Sequence, residues 1–600
     1  MAINVDDRPK TLVHHIEYWA NKQGSTPAIH GKVDGRWQQM TWTEYWTAVR
    51  EAAKGFIAMG HEVGDCVAIV GDNRMEWVVS QFGIMAARGV PAPIYTTNTP
   101  SQVAHILRNS EAKIAVGDTG AQIDKYKEAM KEDGVRVEHL VSMLAGQADD
   151  AKTLDELRAL GREQDDAELD KRLAELTDDE VSLLIYTSGT TGVAKGVMLD
   201  HGGMLAIAKS MFELFPAIAE PDTYRCVSYL PLCHVAEQLF TNLGHLGSGG
   251  QVYFCGDLKE ILEYLVHVRP TIFLGVPRVW EKFQAKLEAG LNAATGIKAI
   301  LAGWARKTEL AAQLEGMKTR RPVDTFWRRL ANKLVISKVQ AKLGLDQVRC
   351  AVTGAAPISI GTLQFFASLG IIIHEGYGMS ETTGVATANP VGRARFGSVG
   401  EPLSCVEIKI ADDDEILLKG RNMTRGYLRM PEKTAELIDD EGWLHTGDLG
   451  AMVDGRLKIT GRKKDILITA GGKNVAPAEM EAHIQQIPGV GQAVVVGDAQ
   501  PYLCALITLD GEALDALRNA AGVTGNTVAE LAGQDAVHKF IDGQVQSGCN
   551  TLVARYQTIK KISVLPNEFS VDGGELTPTM KVKRNVVAKK YAEQISAFYA

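Results

Sequence analysis

Cysteine pairs are missing from this sequence. Its eight cysteines, at positions 66, 226, 233, 255, 350, 405, 504 and 549, form no Cys-x-x-Cys unit. Scattered single thiols weigh against a zinc site and point to a reducing compartment. Apolar runs of membrane-spanning length are missing too; the stretch 78–95 is broken by Gln81 and Arg88. The first ten residues lack the basic-then-apolar order of a secretory leader. A cytoplasmic location is therefore expected, with association at the inner face of a membrane left open. Positive charge is in short supply. Sixty-four Lys and Arg stand against 73 Asp and Glu, a net charge of −9, which weighs against nucleic acid as the main partner. No short-period repeat is present, so a solenoid is not expected.

What is there reads as α/β. Six hundred residues exceed one ordinary core, and 45% apolar with 23% charged residues is a globular composition. Short strand-like runs at 66–70, 90–95 and 113–117 alternate with helical patterns. The same rhythm returns at 224–232, 251–254, 271–275, 348–354 and 370–377, which predicts two helix-covered, mostly parallel sheets. Thr41 and Glu44 have the spacing of a helix capping box. Residues 281–345 read as a long helical insertion whose second half is basic, with Trp304, Phe326 and Trp327 interleaved. A solvated insertion is the plainer reading, and contact with anionic lipid the sharper one. From 406 the pattern changes to short alternating strands, a small β-rich subdomain. A compact α+β module follows the charged junction 461–465. The expected division is 1–461 and 462–600.

The stretch that organises the chain is 186–197. After an apolar run it reads Tyr186, Thr187, Ser188, Gly189, Thr190, Thr191, Gly192, Val193, Ala194, Lys195, Gly196, Val197. Glycines let backbone N–H groups converge on an anion, hydroxyls add donors, and a lysine adds mobile positive charge. That suits a polyphosphate. It is not a Walker loop, because no Ser or Thr follows Lys195. A flexible linker is the bland alternative. Further along, Gly376, Tyr377, Gly378, Met379, Ser380, Glu381 follow a buried strand, and Glu381 is a hard oxygen ligand suited to Mg²⁺. Asp448 ends a Trp-Leu-His-Thr-Gly-Asp run, read as a carboxylate after a glycine turn, where it can accept ribose hydroxyls.

These segments together resemble the acyl-adenylate-forming (AMP-binding) superfamily of acyl-CoA synthetases, luciferases and peptide-synthetase adenylation domains. The resemblance covers most of the chain and points to the long-chain fatty acyl-CoA synthetases. It implies a large N-terminal domain and a small mobile lid. Thr187 to Lys195 would be the ATP phosphate loop, with Ala194 where proline is usual. Glu381 and Thr187 would hold Mg²⁺, with Ser380 in place of the usual threonine. Gly354, Ala355, Ala356, Glu375, Gly376, Tyr377 and Ser380 would border adenine. Asp448 and Arg462 would take the ribose, and Lys464 would be the hinge. His234, in Leu-Pro-Leu-Cys-His, would gate or orient the carboxylate, and Val276 and Pro277 would line the acyl side. Lys581 would be the catalytic lysine, with Met580 where many members have glycine, and with Lys583 as the competing choice. Gly471, Gly472 and Lys473 would form the CoA-side loop, although Ile468 stands where the family often has lysine. The implied reaction consumes a fatty acid, ATP and coenzyme A in two steps, with a lid rotation between them. A fatty acyl-AMP ligase serving a carrier protein is the alternative. A homodimer is left open.

Overall fold

A computed structural model describes residues 8–188, 193–292, 295–571, 573–577 and 581–600. Its first sheet runs in the order Val90–Ile94, Cys66–Val70, Ile114–Gly117, His139–Ser142, Lys152–Thr153, all parallel. Every residue of Cys66–Val70 is buried, as expected of a central strand covered on both faces. The antiparallel hairpin Val181–Ser188 with Ala194–Asp200 lies against the edge strand Val90–Ile94.

The second layer places Pro27–Val33, Gln251–Phe254 and Arg225–Ser228 side by side. Across a seam come Ile272–Leu274, Cys350–Thr353 and Ile373–Tyr377. Thr271 stitches the seam: its N–H donates to the Arg225 carbonyl at 3.0 Å, and its Oγ1 accepts from Arg225 N at 2.9 Å. The helix Met75–Ala86, buried at every position except Glu76, shares one core with Val67 and Ile69 of the first layer and Ile29 and Val252 of the second. The apolar run that might have been mistaken for a membrane segment is thus an interlayer helix followed by a buried strand. Among the described residues no helix is long and apolar enough to cross a membrane.

Thr41 caps Trp42–Ala58 with the reciprocal Glu44 bonds read from sequence. The β-rich subdomain holds Val406–Ile410, Glu415–Gly420, Leu444–Val453 and Arg456–Arg462 in one antiparallel sheet. Two expectations need correction here. The strand expected over 224–232 stops at Ser228, because Leu230 and Ser228 are tied to Asn73 and the chain turns toward His234. The Thr-Gly-Asp run expected as a turn lies inside the ten-residue strand Leu444–Val453.

The C-terminal module is built on Val490–Val496, Leu503–Leu509 and Ile559–Leu565. Its cores are its own: one gathers Met480, Leu517, Val537 and Ile559, the other Leu506, Phe569 and Val587.

Candidate active site

The hairpin Val181–Ser188 with Ala194–Asp200 is held from outside. Met198 N donates to the Gly426 carbonyl at 3.0 Å, and Leu428 N donates to the Gly196 carbonyl at 2.8 Å. Buried Asp200 at its end is clamped by Arg421 and Arg425, each at 2.6 Å. Of the stretch expected as the phosphate loop, the described ends are strand, and Lys195 lies in the second strand with Thr187 as its cross-strand partner. Gly189, Thr190, Thr191, Gly192 and the Ser188 side chain lie outside the described residues, as does Met580.

Lys195 leads to Glu381 through one aromatic side chain. Its Nζ stands 4.5 Å from the ring centroid of Tyr427, a cation–π distance. The Tyr427 hydroxyl donates to Glu381 Oε1 at 2.7 Å. Thr424 N donates to the Glu381 carbonyl at 2.8 Å. Tyr427 was not singled out in the sequence. The only signal was Thr-Arg-Gly-Tyr, a short string with no chemistry of its own. Gly378 lets the turn close, since a Cβ there would lie 2.6 Å from the Gly384 carbonyl oxygen.

Next to this stands a second carboxylate. Tyr377 Oη donates to Asp448 Oδ2 and Arg462 Nε donates to Asp448 Oδ1, both at 2.8 Å. Asp448 and Arg462 are directly paired across their strands. Gly447, at φ +68°, takes the left-handed kink that one bulge requires, and its N–H donates to Glu415 Oε1 at 2.9 Å. On the strand carrying Tyr377, Gly376 pairs with Ala388. Buried Glu375 instead accepts from Gly397 N at 3.2 Å, and burial pushes its carboxyl up to about 8. Gly354 follows the neighbouring strand Cys350–Thr353, and Ala355 and Ala356 are exposed beyond it. Ala355 is held at φ +68°, a strained position for a residue with a Cβ. Ser380 opens the short turn that carries Glu381.

Lys581 faces both carboxylates. The residue is exposed, with Arg462, Lys464, Asp448 and Glu381 all within electrostatic reach. Loss of solvation, with Arg462 and Lys464 nearby, lowers its pKa from the ordinary lysine value; Asp448 and Glu381 oppose the shift. Lys583 sits at the N-cap of the helix Arg584–Lys590, its N–H bonded to the Glu575 carbonyl. Lys464, in the turn Lys463–Asp465 just after Arg462, feels Arg462, Asp448 and Lys195. Gly471, Gly472 and Lys473 stand apart on an exposed hairpin turn bonded to Thr469.

His234 also looks toward Lys581. It caps a short helical turn, its Nδ1 accepting from Ala236 N at 3.1 Å. Burial, with Lys581 adding repulsion, lowers its pKa to about 4. The ring is neutral near pH 7 and carries its proton on Nε2. Three residues on, buried Glu237 accepts from Leu230 N at 3.2 Å and from Thr241 Oγ1 at 2.5 Å. Burial pushes this carboxyl up to about 7. Glu237 was missed in the sequence, where one acid in an apolar run carried no signal. The chain then makes a π-helical turn, Gln238–Leu243, a distortion common at functional sites. Beyond it is an apolar cleft lined by Ile207, Met211, Phe212, Leu239, Phe240 and Leu243 among others. Leu239 joins cleft to site, packing so close to Gly384 that a Cβ there would lie 2.7 Å from it.

A family described as AMP-binding enzyme matches residues 16–428, and its C-terminal domain family matches 464–600. The chain belongs to the AMP-binding enzyme family. Among its relatives are the Long-chain-fatty-acid--CoA ligase ACSBG2 of Xenopus laevis, 37% identical, and the Long-chain-fatty-acid--CoA ligase FadD15 of Mycobacterium tuberculosis, 38% identical. The alignments cover 99% of this chain and 85% of the first, and 94% of this chain and 93% of the second. The fold of this AMP-binding enzyme is similar to the A-PCP didomain of carboxylic acid reductase from Segniliparus rugosus in complex with AMP. The TM-score is 0.74 at 21% identity, covering 100% of this chain and 83% of that one. It is also similar to ATP-bound MatB from Rhodopseudomonas palustris, with TM-score 0.69 at 23% identity over 96% and 99% of the two chains.

Proposed function

We propose that this AMP-binding enzyme is an AMP-forming ligase for long-chain fatty acids. It joins the acid to ATP as acyl-AMP with loss of pyrophosphate, then transfers the acyl group to coenzyme A with release of AMP. One observation carries the reading: Lys195 through Tyr427, Glu381, Asp448 with Arg462, His234 and Lys581 stand within contact or electrostatic reach of one another. The ligases named above act on long-chain fatty acids, and the small apolar pocket beside Leu239 marks the apolar side of the site.

The division of labour follows from the charges. Lys195 takes the β- and γ-phosphates, together with the Thr, Ser and Gly residues of the stretch that begins at Thr187. Asp448 accepts the ribose hydroxyls, for which Tyr377 must release one of its oxygens. Tyr377, Gly354, Ala355, Ala356, Gly376 and Ser380 border the adenine, with Glu375 supporting that strand from behind. Tyr427 occupies one oxygen of Glu381, and among the described residues no donor takes the second. With Thr187 it would hold Mg²⁺, a hard-ligand arrangement, and the ion would offset charge on the phosphates. The neutral Nε2–H of His234 orients the substrate carboxylate, which needs no base at neutral pH. Lys581 stabilises the charge that grows on the α-phosphate oxygens and holds the attacking carboxylate beside them.

Residues 1–461 then form the substrate-binding domain and 462–600 the lid, with Lys464 as the hinge. In the second step the lid turns, Lys581 leaves and the Gly471, Gly472, Lys473 turn comes to the cleft. There the thiol of CoA attacks the acyl carbonyl, the thioester bond forms, and the acyl–phosphate bond to AMP breaks. AMP release across fatty acids of graded length, with and without CoA and with aryl acids as control, tests the reading. AMP release that needs no CoA, or a preference for aryl acids, overturns it.

The lid position described here is latched by two ion pairs on the helix Pro277–Asn292: Arg278 with Asp510, and Lys282 with Glu512 at 2.5 Å. The Lys282–Glu512 pair is largely open to solvent, whereas Asp510 of the other pair is mostly covered; a solvent-exposed pair contributes about 0–1 kcal/mol. Glu512→Ala is therefore expected to lower adenylation kcat/KM by at most about fivefold, with less effect in 0.5 M salt. Pyrophosphate exchange at two salt concentrations checks this.

Adenylation should also carry an alkaline limit. Lys581 acts as an ammonium and its pKa is lowered. Adenylation kcat/KM, which reports the free enzyme, is thus full at low pH and falls as pH rises through a value below that of ordinary lysine. In Lys581→Arg that limb moves above the measurable range, because guanidinium stays protonated. An unmoved limb assigns the titration to another group.

A further inference from the structure

The helical excursion after Pro277–Asn292 carries side chains that the catalytic reading does not use. On Gly296–Thr319, Ile297 and Ile300 are 83% and 74% exposed, and half-buried Trp304, packed on its inner side against the core, continues the same stripe at helical spacing. Trp304 meets Trp327 of the next helix edge-on at 6.3 Å, and Trp327 meets Phe326 at 5.3 Å. Phe326 and Trp327 are 67% and 60% exposed. Leu334, two turns beyond Trp327, is exposed as well. One apolar ridge thus runs across two helices.

The ridge is displayed by a fixed scaffold. On the inner side Ala305, Ala331 and Ile336 enter the core of the second layer. Buried Glu309 is held by Arg328 at 2.8 Å. Solvent exposure of this much Ile, Phe and Trp in one place calls for a partner.

Charge says which kind. Residues 296–343 hold eleven Lys and Arg against three Asp and Glu, a surplus of eight, in a chain whose net charge is −9. Of the three acids, Glu309 is buried against Arg328, and Asp324 pairs with Arg329 at 3.2 Å. Exposed Lys298, Lys307, Lys333 and Lys338 flank the ridge. A second copy seated by two-fold symmetry would bring like charge to like charge. A plane of anionic headgroups over hydrocarbon meets both requirements, taking the apolar side chains below and the cations at its surface.

We propose that the ridge of Ile297, Ile300, Trp304, Phe326, Trp327 and Leu334 docks on an anionic lipid bilayer. The inference rests on exposure and charge, and it stands whichever acid the enzyme activates. The full chain should co-sediment with phosphatidylcholine vesicles containing 30% phosphatidylglycerol far more than with pure phosphatidylcholine vesicles, and less at 0.5 M salt. Lys298→Ala, Lys333→Ala and Lys338→Ala together should weaken that binding about 100-fold. Ile300→Glu with Trp327→Glu should abolish it. Both variants should keep the elution volume and the adenylation rate on octanoate, a soluble acid, which separates docking from folding and from the catalytic reading. Wild-type protein that ignores anionic vesicles, variants that bind as tightly as the parent, or a dimer that Ile300→Glu with Trp327→Glu splits into monomers would each overturn the proposal.

Discussion

Lys581→Ala is expected to slow acyl-adenylate formation by about 100- to 1000-fold, the cost of removing one aligned charge from a transition state. Thioester formation from supplied acyl-adenylate should stay within about threefold of the parent, because the proposed lid rotation takes the lysine away for that step. The asymmetry follows from position. The lysine faces Glu381, Asp448, Arg462 and His234 at once, and it comes from a module with separate cores. A residue on such a module can be present for one step and absent for the next. Pyrophosphate exchange reads the first step and CoA-dependent AMP release from acyl-adenylate reads the second. Adenylation at full rate with failed thioesterification would show that the lysine belongs to the other step.

Motif and structure part company in an instructive way. Asp448 was legible as an acid directly after Gly447, and Glu381 as an acid in a short polar run between Gly378 and Gly384; a backbone that needs glycine there is being steered around something. The layers were legible too: strands buried on both faces must be apolar throughout, as Cys66–Val70 is. Leu444–Val453 hid as a strand because its register shifts at Leu449 and Gly450, which breaks the alternation a strand normally displays. The partners of the acids were harder still. Tyr427 lies 46 residues from Glu381 in sequence, and Glu237 earns its interest only from burial and its bonds to Leu230 and Thr241. Such roles depend on what a side chain meets after folding. The ridge at Ile300 and Trp327 is the converse case. Its basic, aromatic composition was visible, but only coordinates could tell an exposed tryptophan from a packed one.

Glu381→Gln should lower adenylation kcat about 100-fold or more, and raise the Mg²⁺ concentration needed for half-maximal rate. The amide keeps the volume and can still accept from Tyr427, so the fold has no reason to change. What it loses is the negative charge that a hard cation requires. Tyr427→Phe provides the contrast. It removes the 2.7 Å hydroxyl contact but keeps the ring beneath Lys195. Its effect should be the modest one of a single hydrogen bond to a charged group, about 10- to 100-fold. Because Tyr427 acts through Glu381, the two losses should not add: Tyr427→Phe placed on Glu381→Gln should cost less than about threefold more. Rates for the four proteins, each measured across a magnesium titration, check this. Additive losses with an unshifted magnesium dependence would mean that Glu381 supports the turn at Ser380–Thr382 and holds no cation.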